Sequence, residues 1–261
     1  MPGSGDPPDL IFPVRGGDSN EELRFALRSL RNLPHGRVWL VGYKPSWVRG
    51  VDYIPGGNSA PWPRANLWHN LLAACRHPGV AEEVVIFNDD IYVIGPIPEV
   101  PILHRGLLAD QVATVTRLAG RRGWWQESLA ATQLCLRAHH PDPLSYELHT
   151  PFPANRAAMA DTLRRFAAVT PHNPPQWRTL YGVVNRIGGR QQRDCKALRP
   201  GPLNRPFHST DDLSWRYFRS KMLQVFPEPS PYELAEKPEV ARLPVNVRSG
   251  RLKAQPRRTR A

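Results

Sequence analysis

The sequence predicts an α/β fold built on parallel strands, because short apolar runs alternate with segments of helical periodicity. Residues 10–14 (LIFPV) and 37–43 (RVWLVGY) are apolar runs of strand length. Between them, at positions 23–33, leucine and alanine recur every three or four residues. A strand, a helix and a second strand in this order are typical of a sheet whose strands run parallel.

The first helix is expected to begin at a capping box formed by Ser19 and Glu22. In such a box the hydroxyl accepts a hydrogen bond from the backbone three residues on, and the carboxylate accepts one from the backbone N–H of the cap residue. Arg24 and Arg28 lie on a second face of the same helix. The sequence Pro34-His35-Gly36 predicts the end of this segment.

A second helix and strand lead to two adjacent carboxylates. Residues 64–77 (RANLWHNLLAACRH) have helical periodicity, and residues 84–88 (VVIFN) then predict a buried strand. Asp89 and Asp90 follow this strand directly, before another apolar run. In open α/β sheets ligands bind beyond the carboxyl ends of the strands, so this is where a site is expected.

The rest of the sequence predicts further helices separated by irregular segments. We expect a loop with a short strand at 99–110 and a polar loop at 206–214. Helices are predicted at 124–139, from near Pro153, at 174–189 with a stop at Gly188, and after the polar loop. We predict a flexible N-terminus (1–9), one α/β domain (10–233) and a basic, disordered tail (234–261).

Composition is consistent with one large globular domain. The chain has 261 residues, of which 41% are hydrophobic, and no apolar run reaches the length that crosses a membrane. Its start lacks the basic and apolar segments of a signal peptide, so we expect a cytoplasmic protein. Three widely spaced cysteines (Cys75, Cys135 and Cys195) predict free thiols and no zinc site.

Positive charge is concentrated at the C-terminal end. Of the net charge of +12, seven Lys and Arg residues without any acid lie after residue 241, which leaves +5 (12 less 7) for the rest. Such a tail is typical of a solvated, disordered segment. The alternative interpretation is a contact with nucleic acid or another polyanion.

The sequence Asn88-Asp89-Asp90 has two interpretations. Asn and Asp are favoured in turns, so it is compatible with an ordinary type I turn. Two adjacent carboxylates also repel each other unless positive charge lies beside them, and a divalent cation with oxygen ligands supplies that charge. The apolar runs on both sides favour a site, with Mg²⁺ or Mn²⁺ bridging the diphosphate of a nucleotide.

Several further residues are weaker candidates for ligand contacts. Each also has a structural explanation: Asp18 as a helix cap, Arg15 and Arg24 as a solvated face, and Asn66 and Asn70 as helix-surface residues. Asp211 and Asp212, near His208, are typical of a helix N-cap but could add acids to the site. Trp124 and Trp125 are expected in the core, with stacking on a sugar or base as the alternative.

Two blocks of sequence resemble the Stealth family. The segment GVAEEVVIFNDDIYVIGPI (79–97) is similar to that family's block with an Asn-Asp-Asp motif after an apolar strand. The segment DSNEELRFALRSLRNLPHGRVWLVGYKPSWV (18–48) is similar to the preceding block, in the same order. Weaker similarity at ELHTPFPANRAAM (147–159) and PPQWRTLYGVV (174–184) extends it across most of residues 10–233.

This resemblance implies a GT-A-like (Rossmann-like) sheet that binds a nucleotide sugar, flanked by helices and with a helical C-terminal elaboration. Asp89 and Asp90 match the family's acids that hold the metal and the diphosphate. His149 matches its histidine, a suitable base toward an acceptor hydroxyl, and Arg178 its arginine, a suitable clamp for a diphosphate. On this basis Asp90, His149 and Arg178 are the predicted catalytic residues.

The remaining donor contacts are expected from Asp18, Asn66, Asn70, Asn88 and Asp212. Two departures from the Stealth pattern, no Trp in the first block and no Glu in the helix before Asn88, favour the related phage and actinobacterial glycosyltransferase-like proteins. We therefore expect a glycosyltransferase that uses Mg²⁺ or Mn²⁺ and a nucleotide sugar, with a protein, glycan or modified DNA as acceptor. The alternatives are transfer of a sugar 1-phosphate and a basic protein that binds nucleic acid through its tail.

Overall fold

A five-stranded sheet forms the centre of the protein. The computed structural model describes residues 6–17, 19–57, 62–119 and 123–235, and the basic tail and Asp18 lie outside these ranges. The strands of the central sheet are β1 (Asp9–Val14), β2 (Val38–Gly42), β3 (Asp52–Pro55), β4 (Glu83–Ile86) and β7 (Phe152–Asn155). Their order in the sheet is β3-β2-β1-β4-β7.

Four of these strands are parallel and one edge strand is antiparallel. β1 pairs in parallel with β2 on one side and with β4 on the other, and β2 pairs in parallel with β3. β7 runs antiparallel to β4, so that Phe152, at its start, lies beside Ile86, at the end of β4. The predicted α/β class with a mostly parallel sheet flanked by helices is confirmed.

The helices cover both faces of this sheet and continue into a mainly helical second half. Their bounds are α1 (Glu21–Ser29), α2 (Pro63–Arg76), α3 (Leu108–Ala119), α4 (Trp124–Leu136), α5 (Arg156–Phe166), α6 (Trp177–Val184) and α7 (Trp215–Val225), with a 3₁₀ turn at Leu30–Asn32. Two small sheets pair β5 (Ile91–Val93) with β9 (Phe207–Ser209) and β6 (Leu103–His104) with β8 (Arg190–Gln191).

Alternating residues of the buried strands divide the core into two layers. Ile11 of β1 and Ile86 of β4 point to the layer that α2, α4, α5 and α6 cover. Phe12 and Phe87 point the other way, where their rings stack at 4.8 Å in the layer formed with α1, β5 and α7. The two crossover helices α1 and α2 therefore lie on opposite faces, as in a doubly wound sheet.

The structure corrects three local predictions. Asn20, in the left-handed region with φ of 44°, is the N-cap of α1, and no side chain caps it, so the capping box of Ser19 and Glu22 is wrong. Residues 108–110, expected to end a loop, instead begin α3 (Leu108–Ala119), whose β-branched valines and threonines are poor helix formers until Val112 and Val115 pack on the core. The polar loop at 206–214 contains the buried strand β9.

A buried ion pair attaches the C-terminal end of the described chain to α1. Arg28 donates from Nε and Nη2 to the Glu233 carboxylate, both at 2.8 Å, and Arg24 adds a third bond of 2.8 Å. The Glu233 side chain is 1% exposed. Breaking such a pair from one side leaves a buried charge, so this contact holds residues 230–233 firmly. Among the described residues no helix is long and apolar enough to cross a membrane.

Candidate functional site

The candidate site lies next to β1, where the chain stops adding strands on one side of the sheet and begins to add them on the other. The chain leaves β1 for β2 on one side of it and later returns to β4 on the other, so a crevice opens beyond the carboxyl ends of β1 and β4. Arg15 follows β1, and Asn88 to Asp90 follow β4. Because β7 is antiparallel, His149, just before it, reaches the same edge. The predicted site residues therefore converge for a topological reason.

Asp89 and Glu22 form an acidic group on the α1 side of this edge. Both side chains are partly buried. Burial, and then the charges of Asp90 and Glu22, raise the pKa of Asp89 to about 7. Burial likewise raises the pKa of Glu22 to about 7, although its carboxylate accepts a 2.6 Å hydrogen bond from the Thr210 hydroxyl. The carboxylates are close enough to oppose each other's ionisation.

Asp90 occupies the middle of the turn. Its Oδ2 lies 3.6 Å from the Nζ of Lys196, which is also 3.9 Å from Asp211. Its Oδ1 is buried and has no hydrogen-bond partner among the described residues. A buried carboxylate oxygen without a donor is unfavourable, so this atom is suited to accept a ligand that brings a proton donor or a cation.

A cleft of about 500 Å³ opens in front of the acidic group. The loop after β1 forms one wall with Arg15 and two glycines, the start of α1 forms another with Glu21 and Glu22, and Asp89, Asp212 and Trp215 also line the cleft. Arg15 and Asp212 form a two-pronged pair at 2.6 Å, and each side chain is 67% exposed. This pair can therefore open to contact a ligand at little cost.

Arg178 lies on the other side of the turn, at the start of α6. It is 6% exposed, and its Nη2 donates to Asn88 Oδ1 at 3.2 Å. Burial lowers the pKa of Arg178, and the buried Glu147 most strongly opposes that effect. The Arg178 Nε has no hydrogen-bond partner among the described residues. Arg178 is therefore a buried residue, and its Nε can donate to an anion that enters the site.

His149 is oriented by an acid that the sequence did not single out. Its Nδ1 is 2.8 Å from Asp194 Oδ2, and its backbone N–H donates to the other oxygen at 2.9 Å. Burial alone would raise the pKa of Asp194, but the bonds and charge of His149, with Arg105, hold it well below its ordinary value. An ionised Asp194 fixes the ring tautomer with Nδ1–H, which leaves Nε2 as the basic nitrogen.

His149, Arg178 and Asn88 line a small cavity with aromatic walls. Its volume is about 150 Å³, and its other lining residues include Trp125, Trp177, Trp68 and Arg64. The Arg178 guanidinium stacks over Trp177, 4.5 Å from the ring centroid. Flat aromatic faces next to a base and a guanidinium are suited to a sugar ring with polar substituents.

The other predicted residues divide into two groups. Asp212 lies at the cleft, and Asp211 accepts bonds from the backbone of Leu213 and Ser214 in the turn before α7, whose N-cap is Ser214 and not an aspartate. Asn70 is not a surface residue: it is 4% exposed and lies against Gly42 and Gly56, where any Cβ would clash with it.

Asn66, Trp124 and Asp18 are the remaining candidates. Asn66 is partly buried on α2, and neither Asn66 nor Asn70 lines the two cavities that flank the turn. Trp124, expected in the core, is 45% exposed, and its ring packs at a tilt of 56° against Trp62, with the centroids 4.1 Å apart. Asp18 lies outside the described residues.

The predicted metal site depends on the carboxylates at and near the turn. In the described part of the chain no three His, Cys, Asp or Glu side chains are close enough to form a ready-made metal site. Asp89 and Glu22 nevertheless supply carboxylates with raised pKa values, and Asp90 supplies an oxygen without a partner, which fits a hard cation that takes further oxygens from a ligand.

Four residues of the site were missed: Glu22, Glu147, Asp194 and Lys196. Glu22 was predicted to be part of a helix cap. Glu147 lies two residues before His149, in the segment 147–159 that resembles the Stealth family. Nothing in the local sequence marks Asp194 or Lys196, because their partners are 45 and 106 positions away, a separation that only folding closes.

Comparison with known proteins finds no matching family model and no matching curated protein. Among solved structures, the chain is similar to the apo form of mouse xyloside xylosyltransferase 1. The two share 11% identity at a TM-score of 0.37, and the alignment covers 87% of this chain and 96% of the other.

Proposed function

We propose that this protein is a nucleotide-sugar-dependent glycosyltransferase whose donor binds across the Asn88–Asp90 turn. One observation carries the proposal: a partly buried acidic group and an oriented histidine lie on opposite sides of one turn, at the switch point of a mostly parallel sheet. The GT-A-like architecture and the relation to Stealth-like proteins belong to the same proposal.

In this proposal the cleft on the α1 side takes the nucleotide diphosphate. Asp89 and Asp90, with Glu22 nearby, would hold Mg²⁺ or Mn²⁺, which neutralises diphosphate charge when bound. Arg15 exchanges its exposed contact with Asp212 for a phosphate oxygen. The two glycines after β1 allow the ligand to approach the backbone closely.

The sugar ring then lies toward the aromatic cavity. Arg178 donates to an oxygen of the sugar or of the adjacent phosphate, and Asn88 holds the guanidinium in place. The His149 Nε2 accepts the proton of an acceptor hydroxyl as that oxygen bonds to the anomeric carbon, while Asp194 stabilises the imidazolium that forms. The bond to the diphosphate breaks in the same reaction, and the nucleotide leaves with the electron pair.

Transfer of a sugar 1-phosphate is the second candidate. The same His149 and Arg178 could act on a phosphorus atom, and a guanidinium with unsatisfied Nε suits the charge that develops there. The two reactions leave different products, a nucleoside diphosphate and a nucleoside monophosphate. Identification of the released nucleotide separates them.

The first test is stabilisation by nucleotide and cation. We expect UDP or GDP with Mn²⁺ to raise the melting temperature, because binding at a ligand concentration of 100 times Kd adds about 2.7 kcal/mol to the free energy of unfolding. Asp89→Asn and Asp90→Asn should remove most of this gain. Asp142→Asn, which changes an exposed acid away from the edge, should retain it.

Two outcomes would count against the proposal. No shift with any nucleotide, with or without the metal, would remove its basis. A shift of equal size in EDTA and in Mn²⁺ would show that Lys196 and Arg15 neutralise the diphosphate without a cation. Loss of the nucleotide-induced stabilisation is therefore expected in Asp89→Asn and Asp90→Asn and not in Asp142→Asn.

A further inference from the structure

A separate cavity lies next to Lys196, outside the two that flank the turn. Its volume is about 390 Å³, and its lining includes Lys196, Arg199, Asn204, Arg205, His208 and Phe218. Lys196 connects it to the candidate site, because the Nζ of that residue lies 3.6 Å from Asp90. The proposed sugar transfer does not use this cavity.

Positive charge dominates the walls of this cavity. Lys196, Arg199 and Arg205 are cationic, and Asp194 is the acid that lines it. The Asp194 carboxylate is already engaged by His149 and Arg105, so it does not neutralise these cations. Arg199 is exposed and has no hydrogen-bond or ion-pair partner among the described residues. Lys196 is paired with Asp90 and Asp211, so the excess of positive charge in the cavity comes from Arg199 and Arg205.

His208 adds a neutral donor or acceptor to the cationic walls. It is 6% exposed, and its Nε2 has no hydrogen-bond partner in the part of the chain that the structure describes. Its ring lies edge-on to Phe218, with centroids 4.5 Å apart. Burial, and then Lys221 and Arg205, lower the pKa of His208 to about 4, so the imidazole is neutral at physiological pH. A buried polar atom is rarely left unpaired, which points to a missing ligand.

We propose that this cavity binds a phosphoryl group. A phosphate dianion has several oxygens in a compact tetrahedron, and it can meet Arg199, Arg205 and Lys196 together while it accepts a hydrogen bond from His208. A carboxylate carries one charge and two oxygens, and it would leave part of this donor set unused. The ligand is inorganic phosphate or the phosphate of a small phosphorylated compound such as a sugar phosphate.

Calorimetric titration of the full chain tests the proposal. We expect wild-type protein to bind inorganic phosphate or glucose 6-phosphate at concentrations below about 10 mM. The double variant Arg199→Gln/Arg205→Gln should bind at least about tenfold more weakly. The exposed Arg216→Gln on α7 is the matched control and should bind as wild type does.

A second readout places the ligand. Phosphate should shift the ring ¹⁵N resonances of His208 in wild-type protein, and this shift should persist in Asp89→Asn and Arg15→Gln, which alter only the donor cleft. Because Arg199 is exposed and unpartnered, its substitution should not unfold the protein, whereas a His208 variant could. A stronger response to the sugar phosphate than to inorganic phosphate would identify the source.

Three results would overturn the proposal: no phosphate binding, equal binding by the double variant, or loss of binding in Arg15→Gln alone. The last of these would place phosphate in the donor cleft. Because the proposed transferase does not require this cavity, none of the three results would count against the proposed function.

Discussion

The two sides of the Asn88–Asp90 turn differ in charge and in surface. On the α1 side, Asp89 and Glu22 crowd together behind an open, polar cleft. On the α6 side, Asn88 meets the buried Arg178 in a small aromatic cavity. Three consecutive residues therefore serve two environments, one suited to cations and phosphates and the other to a sugar ring and a proton transfer.

Different supporting elements explain this difference. On the acidic side, the hydroxyl of Thr210 donates to Glu22 and lies 2.9 Å from the hydroxyl of Tyr92, so a short hydrogen-bonded chain keeps a carboxylate in place despite its neighbours. On the other side, Asp194 accepts hydrogen bonds at both oxygens from His149, and Glu147 Oε1 accepts two from Thr179 at the start of α6. The acids of the α1 side are therefore crowded together, whereas those of the α6 side orient other residues.

The largest expected effect concerns the orienting side. His149→Asn should lower the rate of nucleotide release from a nucleotide sugar by about 10²- to 10⁴-fold, because the general base is lost. Asp194→Asn should lower it by at least about tenfold, because the imidazole loses its fixed tautomer. Neither change should reduce stabilisation by nucleotide and Mn²⁺. Turnover assays and melting curves on the same preparations measure both quantities.

The control for this prediction is His139→Asn, an exposed histidine outside the edge of the sheet. It should retain wild-type turnover. If His149→Asn and His139→Asn had the same rate, the orienting role of the α6 side would be wrong. If His149→Asn lost nucleotide binding as well, the two sides would not be separate.

A smaller effect is expected on the acidic side, in the pH dependence of stability. The pKa of Glu22 is raised from 4.5 to about 7, so the folded protein binds more protons than the unfolded chain between these values. Its contribution to the free energy of unfolding is present below pH 4.5 and is lost as the pH rises through 7. Glu22→Gln should therefore stabilise the ligand-free protein by about 1 to 2 kcal/mol at pH 8 relative to pH 4.5.

Urea denaturation at both pH values measures this difference. The wild-type curve alone is not sufficient, because the lowered pKa of His208 (about 4) adds stability as the pH rises from 4 to 6.5. The difference between wild type and Glu22→Gln isolates the carboxylate. An unchanged difference between the two pH values would mean that burial, with the charges of Asp90 and Asp212, does not raise the pKa of Glu22.

The smallest effect is expected at the exposed pair of Arg15 and Asp212. Asp212→Asn should change the free energy of unfolding by less than about 1 kcal/mol, since both side chains face water. It should also leave nucleotide binding intact or improve it, because Arg15 is released. Arg15→Gln should weaken nucleotide binding instead. Opposite signs for the two variants would support the exchange of Arg15 from Asp212 to phosphate, and equal signs would exclude it.

Much of the fold could be predicted from local sequence. The apolar runs at 10–14, 37–43 and 84–88 correspond to parallel strands, and the periodicity of 64–77 corresponds to α2. The placement of Asp89 and Asp90 beyond a strand followed from these runs alone. α3 was missed because its valines and threonines favour strands, and only packing on the core makes the helix stable.

The sequence by itself determined the α/β class, the strand ends and the position of the Asn-Asp-Asp turn, because these depend on residues that are neighbours in the chain. Tertiary structure alone decided that Asp194 orients His149, that Glu22 joins Asp89, and that Arg178 is buried. These relations connect residues 45 or more positions apart, and their pKa values depend on burial. These long-range contacts and this burial arise only when the chain folds around the sheet and water is excluded.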